Sequence, residues 1–204
     1  MACDRLNMPR GDCFEKVLSL PWLVVNYLVD NAPNFWKLLY YNKPEDIPRA
    51  EADLDKTQIS NMICSTPQEM YDTNISTTKN ILFQAEMDEA FFGSVPQVRI
   101  FSGDKTKINV AEGYTELNFQ IIVPNKQLLC YDVHTEAPMI DRADAIVSEL
   151  MQTLDRTVIP NSVVNSPLFM NRSAPNGAGR STGCKRGGAN KNFSQEWLTL
   201  AVLI

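Results

Sequence analysis

The run Glu116–Val123 alternates cleanly, with Leu117, Phe119, Ile121 and Val123 on one face. A strand of that period buries one side, so it demands a second layer to pack against. The sequence supplies one downstream. Ile140, Ala143, Ile146, Val147, Leu150, Met151 and Leu154 recur at helical spacing, which predicts a helix over 140–154. Asp141 and Asp144 stand in its early turns and Arg156 at its end, where each charge suits the helix dipole. Together these patterns predict an α+β fold. Its expected parts are a mainly antiparallel sheet backed by one long helix, an N-terminal helical cluster and a long flexible basic loop.

Other strands follow from composition. Ile81–Gln84 and Gln97–Phe101 have strand character, and Ser102-Gly103-Asp104-Lys105 is turn chemistry. Pro124–Gln127 predicts a further turn, with Leu128–Val133 returning as a hairpin partner of Glu116–Val123. Pro167–Met170 is a short candidate strand and Glu196–Ile204 a long one. An apolar strand of that length is an exposed-edge liability unless something pairs with it.

The N-terminal third reads as helical. Apolar residues from Phe14 to Leu28 predict a helix over 14–31, with Pro21 either kinking it or sitting in the first turn of a helix starting at Ser19. A shorter helix over 33–41 is unusually aromatic. A third is expected over 50–63, carrying Leu54, Ile59, Met62 and Ile63. The polar stretch 64–80 reads as a loop. The chain is expected to be a single domain over 1–204, with a helical part at 1–63 and an α+β body at 80–204.

Charge is unevenly spread. The formal net charge is −5, yet residues 156–195 contain no Asp or Glu and six bases, Arg156, Arg172, Arg180, Lys185, Arg186 and Lys191. The rest of the chain holds 24 acids against 13 bases. Such a division suggests pairing of the basic segment with nucleic acid or with an acidic face of a neighbouring copy. Five of the nine glycines fall between 177 and 188, so a loop over 171–192 is expected to order only against a partner.

Chemical motifs are sparse. Gly177–Arg186 contains glycines and bases but no G-x-x-x-x-G-K-[ST] spacing, so no nucleotide-binding loop is expected. Asp132 and His134 would share a strand face, and Glu136, Asp141 or Asp144 would have to complete an acid/base or metal site. A hydrogen-bonded histidine at a strand end is the commoner outcome. No carboxylate stands two residues ahead of a lysine. The five cysteines, at 3, 13, 64, 130 and 184, form no C-x-x-C pair, which predicts reduced thiols rather than a zinc site. Arg10-Gly11-Asp12 is read as a chance tripeptide. No enzyme activity, metal or cofactor is expected. No stretch of about 18 uncharged apolar residues is present, so no membrane span is expected. No basic segment followed by an apolar core opens the chain, so no signal peptide is expected.

Two stretches taken together carry a resemblance. One is the N-terminal apolar helix followed by Asn34-Phe35-Trp36-Lys37-Leu38-Leu39-Tyr40-Tyr41 and a Pro-rich turn. The other is Glu116–Val123, the return to Val133, and Ile140-Asp141-Arg142-Ala143-Asp144-Ala145-Ile146-Val147. This order, closing on the strand to Ile204, resembles neck and connector proteins of tailed bacteriophages, nearest to the tail-terminator and head–tail adaptor group. The resemblance implies a structural virion protein, assembled in the host cytoplasm. It implies a homo-oligomeric ring, six- or twelve-fold, stacked with portal, neck or tail proteins around the DNA channel. It carries no catalytic residue. The basic insertion at 171–192 has no counterpart in that pattern. Arg172, Arg180, Lys185, Arg186 and Lys191 are therefore candidates for assembly or for lining the channel. Trp36, Tyr40, Tyr41 and Trp197 are interface candidates, although such aromatics are commonly core. The alternative from another class is an intracellular nucleic-acid-binding module that uses 156–195.

Overall fold

The computed structural model describes residues 20–42, 53–84, 94–107, 113–130, 140–160, 166–168, 183–186 and 193–203. It shows mixed α and β structure, as expected. Five strands form one sheet in the order β1-β2-β3-β7-β6. These are β1 (Ile81–Leu82), β2 (Gln97–Lys107), β3 (Gly113–Pro124), β6 (Gly183–Arg186) and β7 (Phe193–Leu203). Only β1 and β2 run parallel; the other neighbours are antiparallel.

The alternation in Glu116–Val123 sets the register. Phe119 stands between Ile100 of β2 and Leu198 of β7, Leu117 faces Leu200, and Ile121 faces Val98. These side chains are buried in one apolar layer with the helices. That layer is not covered by one helix alone. α1 (Leu20–Asn31), α2 (Pro33–Tyr40) and α6 (Arg142–Leu154) share it. α6 crosses β3 and β7, α2 packs on α6 and α1, and α1 reaches β2. Pro21 lies in the first turn of α1, where the missing N–H costs nothing. Asp141 caps α6, its carboxylate accepting from the Ala143 and Asp144 N–H groups.

Several expectations are corrected. Leu128–Cys130, the described part of the expected strand Leu128–Val133, is no hairpin partner of β3, because β2 and β7 occupy both edges of β3; residues 131–133 lie outside the described ones. Instead β4 (Leu129–Cys130) pairs with β5 (Ile140–Asp141) in a separate two-stranded ladder. Ser102–Lys105 is no turn: β2 runs through it with an irregularity in register between Ser102 and Lys105. A Cβ on Gly103 would collide with the Asn118 amide and crowd Glu116, so glycine serves close approach of β3 here. Pro167 and Leu168 are not strand. Leu168 is tied instead to Arg156 and Thr157 by backbone hydrogen bonds of 2.6 and 2.8 Å. The long strand near the C-terminus is paired inside the sheet, which is the condition the sequence set for it. All eleven residues of β7 pair with β3, and β6 covers part of its other side. The glycine-rich stretch expected as loop contributes β6; its remaining residues, 171–182 and 187–192, lie outside the described ones, as do 1–19.

The third helix is shorter than expected, and 64–80 is not a simple loop. α3 (Lys56–Met62) starts at the Asp55 cap, and α4 (Pro67–Tyr71) and α5 (Thr73–Ser76) follow. Thr66 and Glu69 form a capping box at α4. The Glu69 carboxyl is held below its usual range, chiefly by the Ser65 backbone N–H; burial opposes this, and the Ser65 hydroxyl, Lys79 and the Thr66 N–H add smaller lowering effects. Because the folded value is lowered, the stability it brings is complete above the ordinary carboxylate range and is lost as pH falls through the lowered value. Amide protection at residues 65–71, taken relative to the intrinsic exchange rate at each pH, should therefore fall on acidification in the wild type. Glu69→Gln should flatten that dependence.

Candidate assembly surface

The sheet has two unlike faces. The face away from α1, α2 and α6 carries Gln97, Arg99, Glu116, Gln120 and Trp197. In register, Arg99, Gln120, Trp197 and Lys185 form one row across β2, β3, β7 and β6. Phe101, Asn118, Thr199 and Gly183 form the next. Gln97, Arg99 and Gln120 are wholly buried and Glu116 nearly so. The rings of Phe101 and Trp197 meet edge to face at 6.2 Å, and the Thr199 hydroxyl donates to Oδ1 of the Asn118 side chain at 2.8 Å. Both polar atoms of the Gln120 amide lack a hydrogen-bond partner. These polar groups were missed because alternation marks only the apolar face. On the other side of β3 it signals solvent exposure, whereas Glu116 and Gln120 are buried there and Asn118 only partly exposed.

The expected interface aromatics separate. Trp36 is not at a surface. It is wholly buried, its indole N–H donating to the Leu28 carbonyl at 2.9 Å, with Phe35 packed edge to face at 5.1 Å. It is core because α2 must bury its aromatic side between α1 and α6. Tyr40 is 40% exposed and Tyr41 partly so, their rings perpendicular at 5.2 Å. Trp197 is partly exposed on β7. Trp197 and the tyrosine pair thus sit on separate elements.

Of the basic candidates, Lys185 and Arg186 are placed. They lie on β6, the edge strand beyond β7, with Lys185 opposite Trp197 and Arg186 opposite Glu196. Glu196 is a buried acid on the helix-facing side of β7. Arg172, Arg180 and Lys191 lie outside the described residues. So do Asp132, His134 and Glu136. Arg156 is exposed, 3.8 Å from the Asp155 carboxylate. Among the described residues no group of three or more His, Cys, Asp or Glu is placed to hold a metal ion. No described helix is long and apolar enough to cross a membrane. No protein-family model and no curated protein matches the chain.

Proposed function

We propose that the chain is a structural subunit of a ring in the head–tail connector of a tailed phage, joining portal-proximal and tail components around the DNA channel. The observation that carries this reading is the position of β6. It is the last strand of the sheet, it bears Lys185 and Arg186, and it covers only Glu196–Thr199 of the longer β7. A sheet edge with unpaired N–H and C=O groups is a surface that a neighbouring copy can continue. Basic residues there are complementary to a body in which acids outnumber bases, so successive copies meet head to tail and close into a ring. The partly exposed Trp197, opposite Lys185, gives the contact an aromatic anchor.

Sedimentation of the purified protein at rising ionic strength tests the reading. An assembled species at low salt should dissociate as charge pairing is screened. A subunit that stays monomeric with virion components present, yet shifts DNA with a steep salt dependence, is instead the nucleic-acid-binding module.

A further inference from the structure

The outward side chains of β7 form a track. Phe193, Gln195, Trp197 and Thr199 lie on the sheet face turned away from α1, α2 and α6, and all four are partly exposed. Ser194, Glu196 and Leu198, which alternate with them, are buried. Side chains two apart on one face of a strand stand about 7 Å from each other, so the track presents aromatic, amide, aromatic and hydroxyl groups in turn. Two further residues meet it at Trp197. The partly exposed Phe101 ring of β2 lies edge to face with the Trp197 indole at 6.2 Å. Gln120 of β3, opposite Trp197 in register, is wholly buried with neither the oxygen nor the nitrogen of its amide hydrogen-bonded. On the other flank of β7, Lys185 of β6 also stands opposite Trp197. An acid on this face, Glu116, is nearly buried and lies four residues along β3 from Gln120.

Partly open aromatic rings on a sheet face, in alternation with polar groups, match the surface of a nucleobase. Its faces stack on an aromatic ring, and its edge carries a donor beside an acceptor. A side-chain amide pairs with such an edge through both of its atoms, and a buried amide left unpaired is costly. Residues 156–195, which include β6 and the start of β7, contain no Asp or Glu, so this flank of the track suits a phosphate chain. We propose that this face of β7 docks single-stranded nucleic acid. Bases stack on Phe193 and Trp197, the Gln120 amide pairs with the edge of the base at Trp197, and the phosphates run beside β6. The turn of the Trp197 side chain that receives a base also uncovers Gln120. A duplex keeps its base faces inside and offers the track only phosphates and groove edges. The inference goes beyond the ring reading and does not rest on it. Copies meet at the outer edge of β6, whereas the strand lies on the face of the sheet; Trp197 serves either contact, so the test is run where copies are apart.

Titration of the full chain with an oligodeoxyadenylate of about 12 nucleotides tests this, at about 0.5 M salt, where charge pairing between subunits is screened. Tryptophan fluorescence reads the stacking directly, because Trp36 is buried and Trp22 packs on Phe83, which leaves Trp197 to be quenched. Saturable quenching is expected with the single strand and none with a duplex of the same length. Trp197→Leu should abolish the quenching and weaken binding of the labelled oligomer about 5- to 150-fold, the worth of one stacked base. Gln120→Met removes the unpaired amide, so it should keep or raise the melting point while weakening binding several-fold. A group with a purely structural role would not show that split. Should Trp197→Leu unfold, the contrast between single strand and duplex in the wild type decides. Absence of quenching, equal binding of duplex and single strand, or affinity unchanged in folded Trp197→Leu overturns the proposal.

Discussion

Replacing Ile146 by aspartate should leave most of the chain unfolded at room temperature. Ile146 is wholly buried on the face of α6 turned to the sheet. Losing its side chain from a packed layer costs about 2–5 kcal/mol. A carboxyl without a hydrogen-bond partner adds roughly 1–3 kcal/mol even when it takes up a proton. Against a total stability of about 5–15 kcal/mol, a loss of about 3–8 kcal/mol removes a large part of the margin, and all of it at the low end of that range. Ser148→Asp, two residues on and exposed, provides the control and should move stability by no more than about 0.5 kcal/mol. Thermal melts of the two variants check the assignment. A shift of only a degree or two in Ile146→Asp would contradict it.

The same residues explain how much of the fold was legible. Periodicity identified α6 and the buried face of β3 because each has one apolar side and one polar side. Pairing was harder. Leu128–Val133 follows β3 closely in sequence, which favours a hairpin, but β3 is claimed on both sides by β2 and by β7. Alternation says which way side chains point and nothing about which strand lies beside which. The short helices α4 and α5 carried readable caps, Thr66 with Glu69 and then Asp72, within a polar stretch that has too few apolar residues to show a helical period. In the assembly surface, Lys185 and Arg186 stood out by charge alone. Their strand pairing was hidden because glycines around them argue for a loop.

The second large effect concerns assembly. Changing Arg180, Lys185 and Arg186 together to serine removes three positive charges without setting a new carboxylate opposite Glu196. Exposed pairs are worth about 0.2–1 kcal/mol each, so the contact should weaken roughly 3- to 150-fold in low salt. The melting point of the isolated subunit should move little, because β6 contributes only four residue pairs to the sheet. Sedimentation equilibrium reads the first quantity and calorimetry the second. A triple variant that assembles normally but whose particles retain less DNA assigns these residues to the channel wall instead of the contact between copies.

The ring itself is tested most directly by electron microscopy of the purified protein at high concentration and low salt, with the neighbouring virion proteins added in a second sample. The proposed role predicts closed annuli of one symmetry, six- or twelve-fold, in at least the second sample. Single subunits or open aggregates in both samples would contradict it.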